Sequence, residues 1–116
     1  MNSDAMKERT KALALRIVRL VDTLPSRGSA GVMGRQLLRC GTSVGANYRA
    51  ACRGRSRRDF VAKLGIVEEE CDEVIYWLEL LTEAGIVDEA RVKDLSDEAN
   101  EVLSIVVASI KTARPK

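Results

Sequence analysis

The sequence predicts an all-α protein, an up-down-up-down antiparallel four-helix bundle formed by one domain of residues 1–116. The two prolines, Pro25 and Pro115, leave about ninety residues between them free of that helix breaker. No segment alternates between apolar and polar residues for long enough to predict a strand. One apolar row repeats at spacings of four and three residues, the pattern of a helix packed nearly parallel to its neighbours. It consists of Phe60, Leu64, Val67, Cys71, Val74, Leu78 and Leu81.

The first helix is predicted at about residues 4–24, where Pro25 and the turn-forming segment after it end the helix. Its predicted inward face carries Leu13, Ile17, Leu20 and Leu24. The second helix is predicted at about residues 30–53, and Gly54 breaks the chain after it. Its predicted inward face carries Met33, Leu37, Cys40, Val44, Asn47 and Ala51.

Two glycines, Gly41 and Gly45, make the second helix irregular, because each costs about 1 kcal/mol relative to alanine. Two interpretations are open. The small residues can allow a neighbouring helix to come close, or they can mark a kink or a backbone surface for a partner.

The third helix is predicted at about residues 56–83, with Ser56 as its cap and Asp59 in the position of a capping box. Gly85 suits the left-handed conformation that ends a helix. Asp88 opens the fourth helix, predicted at about residues 88–113. Its predicted inner row is Val92, Leu95, Ala99, Val102 and Val106. The short connections favour antiparallel neighbours.

The composition argues against an enzyme. There is no histidine, which removes the commonest general base and metal ligand. No glycine-rich phosphate loop is present, and the three cysteines form no metal-binding pair. We therefore predict no catalytic residue, no metal and no cofactor.

The same sequence predicts a cytoplasmic protein. No apolar run approaches the ~18 residues of a membrane span. The N-terminus lacks the hydrophobic region of a signal peptide, and an odd number of cysteines favours reduced thiols.

Charge is sorted along the chain. Residues 27–63 hold nine basic residues and one acid, a net charge of +8, whereas residues 64–101 carry −11. The positive stretch contains a cluster at the junction of the second and third helices, whose arginines have the planar fork that suits phosphate. The candidate nucleic-acid contacts are Arg49, Arg53, Arg55, Arg57, Arg58 and Lys63. The alternatives are a solvated surface and salt bridges to the acidic stretch.

The third helix has a second apolar stripe beyond its main row, formed by Ile66, Trp77 and Leu80. Because a helix of a monomeric bundle buries one face, this stripe predicts an interface between copies of the chain. Three polar residues are predicted to be structural. Asn47 falls on the inward face of the second helix, and Glu70 or Glu73 would be its partner if those helices are adjacent.

Three tracts together resemble one family. They are residues 34–49, residues 53–60, and the stretch from Lys63 through Trp77 to Leu81. The chain is similar over roughly residues 10–112 to the bacterial four-helix-bundle proteins encoded in intervening sequences of 23S ribosomal RNA genes. A related accessory protein of diversity-generating retroelements binds nucleic acid and contacts a reverse transcriptase.

The resemblance implies a bundle that assembles into a ring-like homopentamer, in a family most of whose members have no assigned biochemical role. Asn47 and Glu73 fall on the family's characteristic Asn and Glu. Arg53, Arg55, Ser56 and Phe60 fall on its helix–helix corner. The family motif often has an acid shortly after the asparagine, but here the sequence is Asn47-Tyr48-Arg49-Ala50-Ala51, which makes the corner more basic.

Two hypotheses follow. The first is a non-enzymatic homo-oligomeric bundle whose basic corner contacts nucleic acid, RNA in preference to DNA. The second is a protein-interaction or scaffold module in which the arginines pair with acids of neighbouring subunits and no nucleic acid binds.

Overall fold

A computed structural model describes residues 2–114; Met1, Pro115 and Lys116 of the predicted domain lie outside the described residues. The described chain forms four helices and no strand. They are α1 (Ser3–Asp22), α2 (Gly28–Cys52), α3 (Arg57–Glu83) and α4 (Glu89–Ala113). The predicted bounds differ from these by two residues at most.

Each helix packs against the next one in the chain, and α1 contacts α4 to close the bundle. The diagonal pairs, α1 with α3 and α2 with α4, make no close backbone contact. Linkers of residues 23–27, 53–56 and 84–88 are too short to lead the chain back along the bundle, so consecutive helices are antiparallel. The bundle measures 45 × 22 × 22 Å. No helix of residues 2–114 is long and apolar enough to cross a membrane.

The core consists of the apolar rows that the periodicity predicts. From Leu64 to Leu81, every member of the α3 row is fully buried, and Phe60 is half-buried at the end of the bundle. The α4 row from Val92 to Val106 is buried throughout.

Two inward faces differ from the prediction. On α1 the buried row starts earlier and includes Thr10, which is fully buried and whose hydroxyl hydrogen-bonds the Met6 carbonyl oxygen at 3.0 Å; Leu24 is only half-buried. On α2 the next apolar core residue after Val44 is Tyr48, which is 8% exposed. The inward residue predicted at this place is Asn47. Asn47 lies at the edge of the core because Tyr48 keeps the four-then-three spacing from Val44 to the buried residue 51.

The glycines of α2 allow α1 to come close, the first of the two interpretations. A Cβ at Gly41 would lie 2.5 Å from Cδ1 of Ile17, and one at Gly45 would lie 3.2 Å from Oγ1 of Thr10. The helix is continuous through both positions. The small residues therefore fix the distance between α1 and α2.

Both ends of α3 follow the predicted capping chemistry, whereas Asp88 precedes α4 without a side-chain capping hydrogen bond. The Asp59 N–H donates to Oγ of Ser56 at 3.0 Å, which confirms the cap of α3. The Asp59 carboxylate accepts from the backbone N–H of Arg55 at 3.1 Å, one residue before the cap. Gly85 has a φ of +75°, and the Ile86 N–H donates to the Leu81 carbonyl at 3.0 Å, the closing hydrogen bond of a glycine-terminated helix.

An ion pair joins α1 to α4, the neighbouring helices with the least backbone contact. Two guanidinium nitrogens of Arg9 donate to the two carboxylate oxygens of Glu98 at 2.7 and 2.8 Å, and Arg9 also lies 3.0 Å from Glu101. This hydrogen bonding lowers the pKa of Glu98. The bidentate geometry fixes the register of the two helices.

Gly41→Ala is expected to lower the free energy of unfolding by about 1–3 kcal/mol, because the new methyl group would overlap the fully buried Ile17. Gly65→Ala is the matched control. Nothing lies within 4 Å of its Cβ position, so the variant should gain up to about 1 kcal/mol from helix propensity. Urea denaturation measures both changes. Equal stabilisation by the two substitutions would contradict the close approach of α1 and α2.

Glu98→Gln is expected to lower the free energy of unfolding by about 1 kcal/mol at neutral pH. It should also make that free energy depend less on pH in the acid range. Since folding lowers the pKa of Glu98, its contribution is fully present above the unfolded value of 4.5 and is lost as pH falls through the folded value. Unfolding followed between pH 7 and pH 3 tests this. Asp97→Asn, which removes an exposed pair with Lys93 on the same helix, should change the profile much less. Parallel profiles for the wild type and Glu98→Gln would refute the assignment.

Candidate nucleic-acid interface

The turn between α2 and α3 presents a cluster of exposed arginines, here called the basic corner. It consists of Arg49, Arg53, Arg55, Arg57 and Arg58. Within residues 2–114, no carboxylate lies within 4.0 Å of any of these five guanidinium groups. The corner is therefore an uncompensated positive surface.

The one acid of the corner, Asp59, is already occupied. Lys63 lies 3.2 Å from its carboxylate, and the Arg55 backbone N–H also binds it. The hydrogen bond from Lys63 and that from the Arg55 backbone hold the pKa of Asp59 below its usual value. Of the six predicted contact residues, Lys63 is thus the one that pairs with an acid among residues 2–114.

A groove between α1 and α2 continues the corner along the bundle. We call it the basic groove; its volume is about 440 Å³. It is lined by Lys7, Thr10, Lys11, Ala14, Thr42, Gly45, Ala46, Arg49 and Arg53. Four of these residues are cationic and none is acidic. Within residues 2–114, their only ion pair is a 4.0 Å contact of Lys7 with Asp4, whose side chain is 95% exposed.

Sequence reasoning did not identify Lys7 and Lys11 as site residues. Their spacing of four residues places both on one side of α1. The sequence alone does not indicate which neighbouring helix that side faces. The antiparallel register of α1 and α2 places them opposite Arg49 and Arg53. The small residues Ala14, Gly45 and Ala46 also line the groove, and Gly45 packs against Thr10 of α1.

Glu70 and Glu73, which were predicted to be structural, pair with Arg39 and not with Asn47. Arg39 of α2 forms ion pairs with both Glu70, at 3.3 Å, and Glu73 of α3. The Asn47 side chain instead donates from Nδ2 to the Ser43 carbonyl at 2.9 Å, within its own helix. Glu70 and Glu73 therefore tie α3 to α2 through Arg39.

The predicted interface stripe lies on one flank of α3 with unequal exposure. Ile66 is 44% exposed, whereas Trp77 and Leu80 are half-buried against the core. The Trp77 Nε1–H donates to Glu73 at 3.3 Å, and its ring meets that of Tyr76 edge to face, with the centroids 5.1 Å apart. Tyr76 is 54% exposed. The large exposed apolar side chains of α3 are thus Ile66 and Tyr76, ten residues apart on the helix.

The opposite face of the bundle has the opposite charge. A groove between α3 and α4, here called the acidic groove, is lined by several carboxylates and one lysine. Its charged residues are Glu79, Glu83, Glu89, Asp97 and Lys93. The charge sorting along the sequence therefore also becomes a separation in space, between the groove of α1 and α2 and the groove of α3 and α4.

The cysteines offer no activated nucleophile in the interior. Burial raises the pKa of both Cys40 and Cys71 to about 12, which keeps these thiols protonated at neutral pH. All three cysteines are free. Among the described residues, no group of three carboxylate or thiol side chains is placed to hold a metal ion. The chemistry available at the basic corner is the binding of anions by charge and hydrogen bonds.

Comparison with known proteins places this architecture in a family. No curated protein matches the chain significantly. The crystal structure of a protein of unknown function from Bacteroides thetaiotaomicron, described as a member of the S23 ribosomal protein family, superimposes with a TM-score of 0.88. The two sequences are 35% identical over 96% of this chain and 99% of the other. The model of the 23S rRNA-intervening sequence proteins matches residues 4–108, and the chain therefore belongs to that family.

Proposed function

We propose that this protein is a non-enzymatic, self-associating bundle that binds RNA through phosphate contacts at the basic corner and the basic groove. The observation that carries the proposal is the lining of that groove, four cations from two helices with no carboxylate among them. Like charges gathered along one groove raise the local positive potential, and such a potential attracts a polyanion.

The cations suit a phosphodiester backbone. The guanidinium groups of Arg49 and Arg53 can each donate two parallel hydrogen bonds to a phosphate, while the Lys7 and Lys11 ammonium groups act as point charges. Counterion release then supplies most of the affinity. Tyr48, the aromatic residue nearest the corner in sequence, is buried and offers no stacking surface. Binding is therefore expected to tolerate many sequences.

RNA is the preferred polyanion because the name of the family connects its members with 23S rRNA. The same phosphate contacts would also accept DNA. The three free thiols fit the reducing cytoplasm, where we place the protein.

Self-association is the second part of the proposal. The exposed Ile66 and Tyr76 extend the half-buried Trp77 and Leu80 into an apolar surface on α3. Tryptophan and tyrosine are frequent anchors of protein interfaces. The family resemblance implies five subunits.

The alternative is a scaffold module without nucleic-acid binding, and the acidic groove favours it. In that case the basic groove of one subunit pairs with the acidic groove of the next. The arginines then stabilise the oligomer, and RNA finds no site.

Replacing Arg49 and Arg53 by alanine should weaken binding of an RNA pool about tenfold at low salt. It should also make the dependence of log K on log salt shallower by about 1 to 2, since two phosphate contacts are lost. Fluorescence anisotropy across a salt titration measures both quantities. The matched control replaces Arg27 and Arg35, two exposed arginines at the other end of α2 that do not line the groove.

Equal losses in the two double variants would contradict a localised RNA site. If the wild type binds no RNA at low salt, and the Arg49 and Arg53 variant instead loses subunits, the scaffold alternative holds.

Ile66→Glu should raise the protein concentration needed for self-association by at least about tenfold, because it places a charge in the apolar surface of α3. Light scattering at micromolar concentration measures the mass. Leu15→Glu, at an exposed leucine on α1, adds the same charge away from α3 and should leave the mass unchanged. A monomeric wild type would overturn the proposed self-association.

A further inference from the structure

A second cationic groove lies on the other flank of α1, against α4. Its volume is about 330 Å³, and its lining contains three arginines and no acid. The lining residues are Arg16, Arg19, Leu20, Thr23, Arg91, Val92 and Leu95. We call it the arginine groove.

One guanidinium group of the arginine groove is held by a hydrogen bond, and the three arginines are not paired with carboxylates of residues 2–114. Nη2 of Arg91 donates to Oγ1 of Thr23 at 2.7 Å, which orients its guanidinium beside α1. Glu98 lies near enough to Arg16 to be influenced by its charge, but both carboxylate oxygens of Glu98 are bound by Arg9. In the described part of the chain, no carboxylate lies within 4.0 Å of the basic nitrogens of Arg16, Arg19 or Arg91.

One row of side chains on α1 connects the two grooves. Lys7, Lys11, Leu15 and Arg19 are each four residues apart, and such a row turns gradually around a helix of 3.6 residues per turn. Lys7 and Lys11 line the basic groove, and Arg19 lines the arginine groove. Leu15 lies between them on the outer surface and is 46% exposed. The row covers about 18 Å along the helix axis and contains no acid.

We propose that a single RNA strand follows this row, from the basic groove across Leu15 to the arginine groove. This inference rests on the proposed RNA binding and extends it to residues that the basic corner does not include. Phosphates meet cations at both ends, and the exposed leucine lies under a sugar or base at the crossing. We call this path the track. Its phosphate contacts carry no sequence information, so binding along it depends on the RNA backbone and not on the base sequence.

The curvature of the row around α1 favours binding of a single strand over a duplex. The row winds around a helix that is about 10–12 Å across with its side chains. A double helix is stiff over about 150 base pairs and cannot bend around so narrow a cylinder. A flexible single strand can pass from one flank of α1 to the other and fill both grooves.

The test compares a single-stranded RNA of about 16 nucleotides with one of about 4, spanning the usual range of single-strand site sizes. Leu15→Glu should weaken binding of the long RNA about tenfold by placing a negative charge in the middle of the track. Val32→Glu is the matched control, because Val32 is a similarly exposed apolar residue that lies on α2 and lines neither groove.

A second variant removes Arg16, Arg19 and Arg91 together. It should make the salt dependence for the long RNA shallower by about 2, because three single-strand phosphate contacts are lost. The short RNA, which occupies the basic groove alone, should bind this variant within about twofold of the wild type. Circular dichroism melting verifies that each variant is folded.

Several outcomes would overturn the track. If Leu15→Glu and Val32→Glu bind the long RNA equally, or if the triple variant weakens both lengths equally, the track is wrong while the basic groove stands. A duplex of about 16 base pairs that binds as tightly as the single strand and loses as much in Leu15→Glu would also overturn it. If the wild type binds neither RNA, the proposed function fails together with the track.

Discussion

The close packing of α1 on α2 is the constraint on which the candidate site depends. Gly41 accommodates Ile17 and Gly45 accommodates Thr10, so the two backbones approach more closely than larger side chains would allow. The small side chains leave a shallow floor, and the long cationic side chains stand on either side of it. Each interior glycine lowers helix propensity, a cost that the packing against α1 offsets.

The basic residues divide into two groups with different roles. Some are bound by carboxylates at contacts between helices: Arg9 joins α1 to α4, and Arg39 joins α2 to α3. Others line the two grooves that flank α1, and neither groove has an acid in its lining. Four other carboxylates of α3 and α4 line the acidic groove on the opposite side of the bundle. A nearly neutral chain, with a net charge of only +2, thereby presents strongly positive surface on both flanks of α1.

Most of the fold could be predicted because helices, their ends and their buried faces depend on local patterns. The row from Leu64 to Leu81 and the Ser56 cap needed no information beyond neighbouring residues. The prediction failed at Asn47, where periodicity alone cannot distinguish two adjacent positions near the margin of a helix face. Packing gave the interior position to Tyr48, whose ring fills more of the core than an amide would and buries no amide group there.

The sequence by itself determined the four amphipathic helices, their order and the positive charge of the α2–α3 corner. Each of these features depends on residues that are close together in the chain. Only the tertiary structure decided which cations face one another. Lys7 and Arg53 are far apart in sequence and share a groove through the register of α1 against α2. The packing of α2 against α3 likewise brought Glu70 and Glu73 to Arg39, and within residues 2–114 it left the corner arginines with no carboxylate within 4.0 Å. An ion pair needs a distance of a few ångströms, which no sequence pattern specifies.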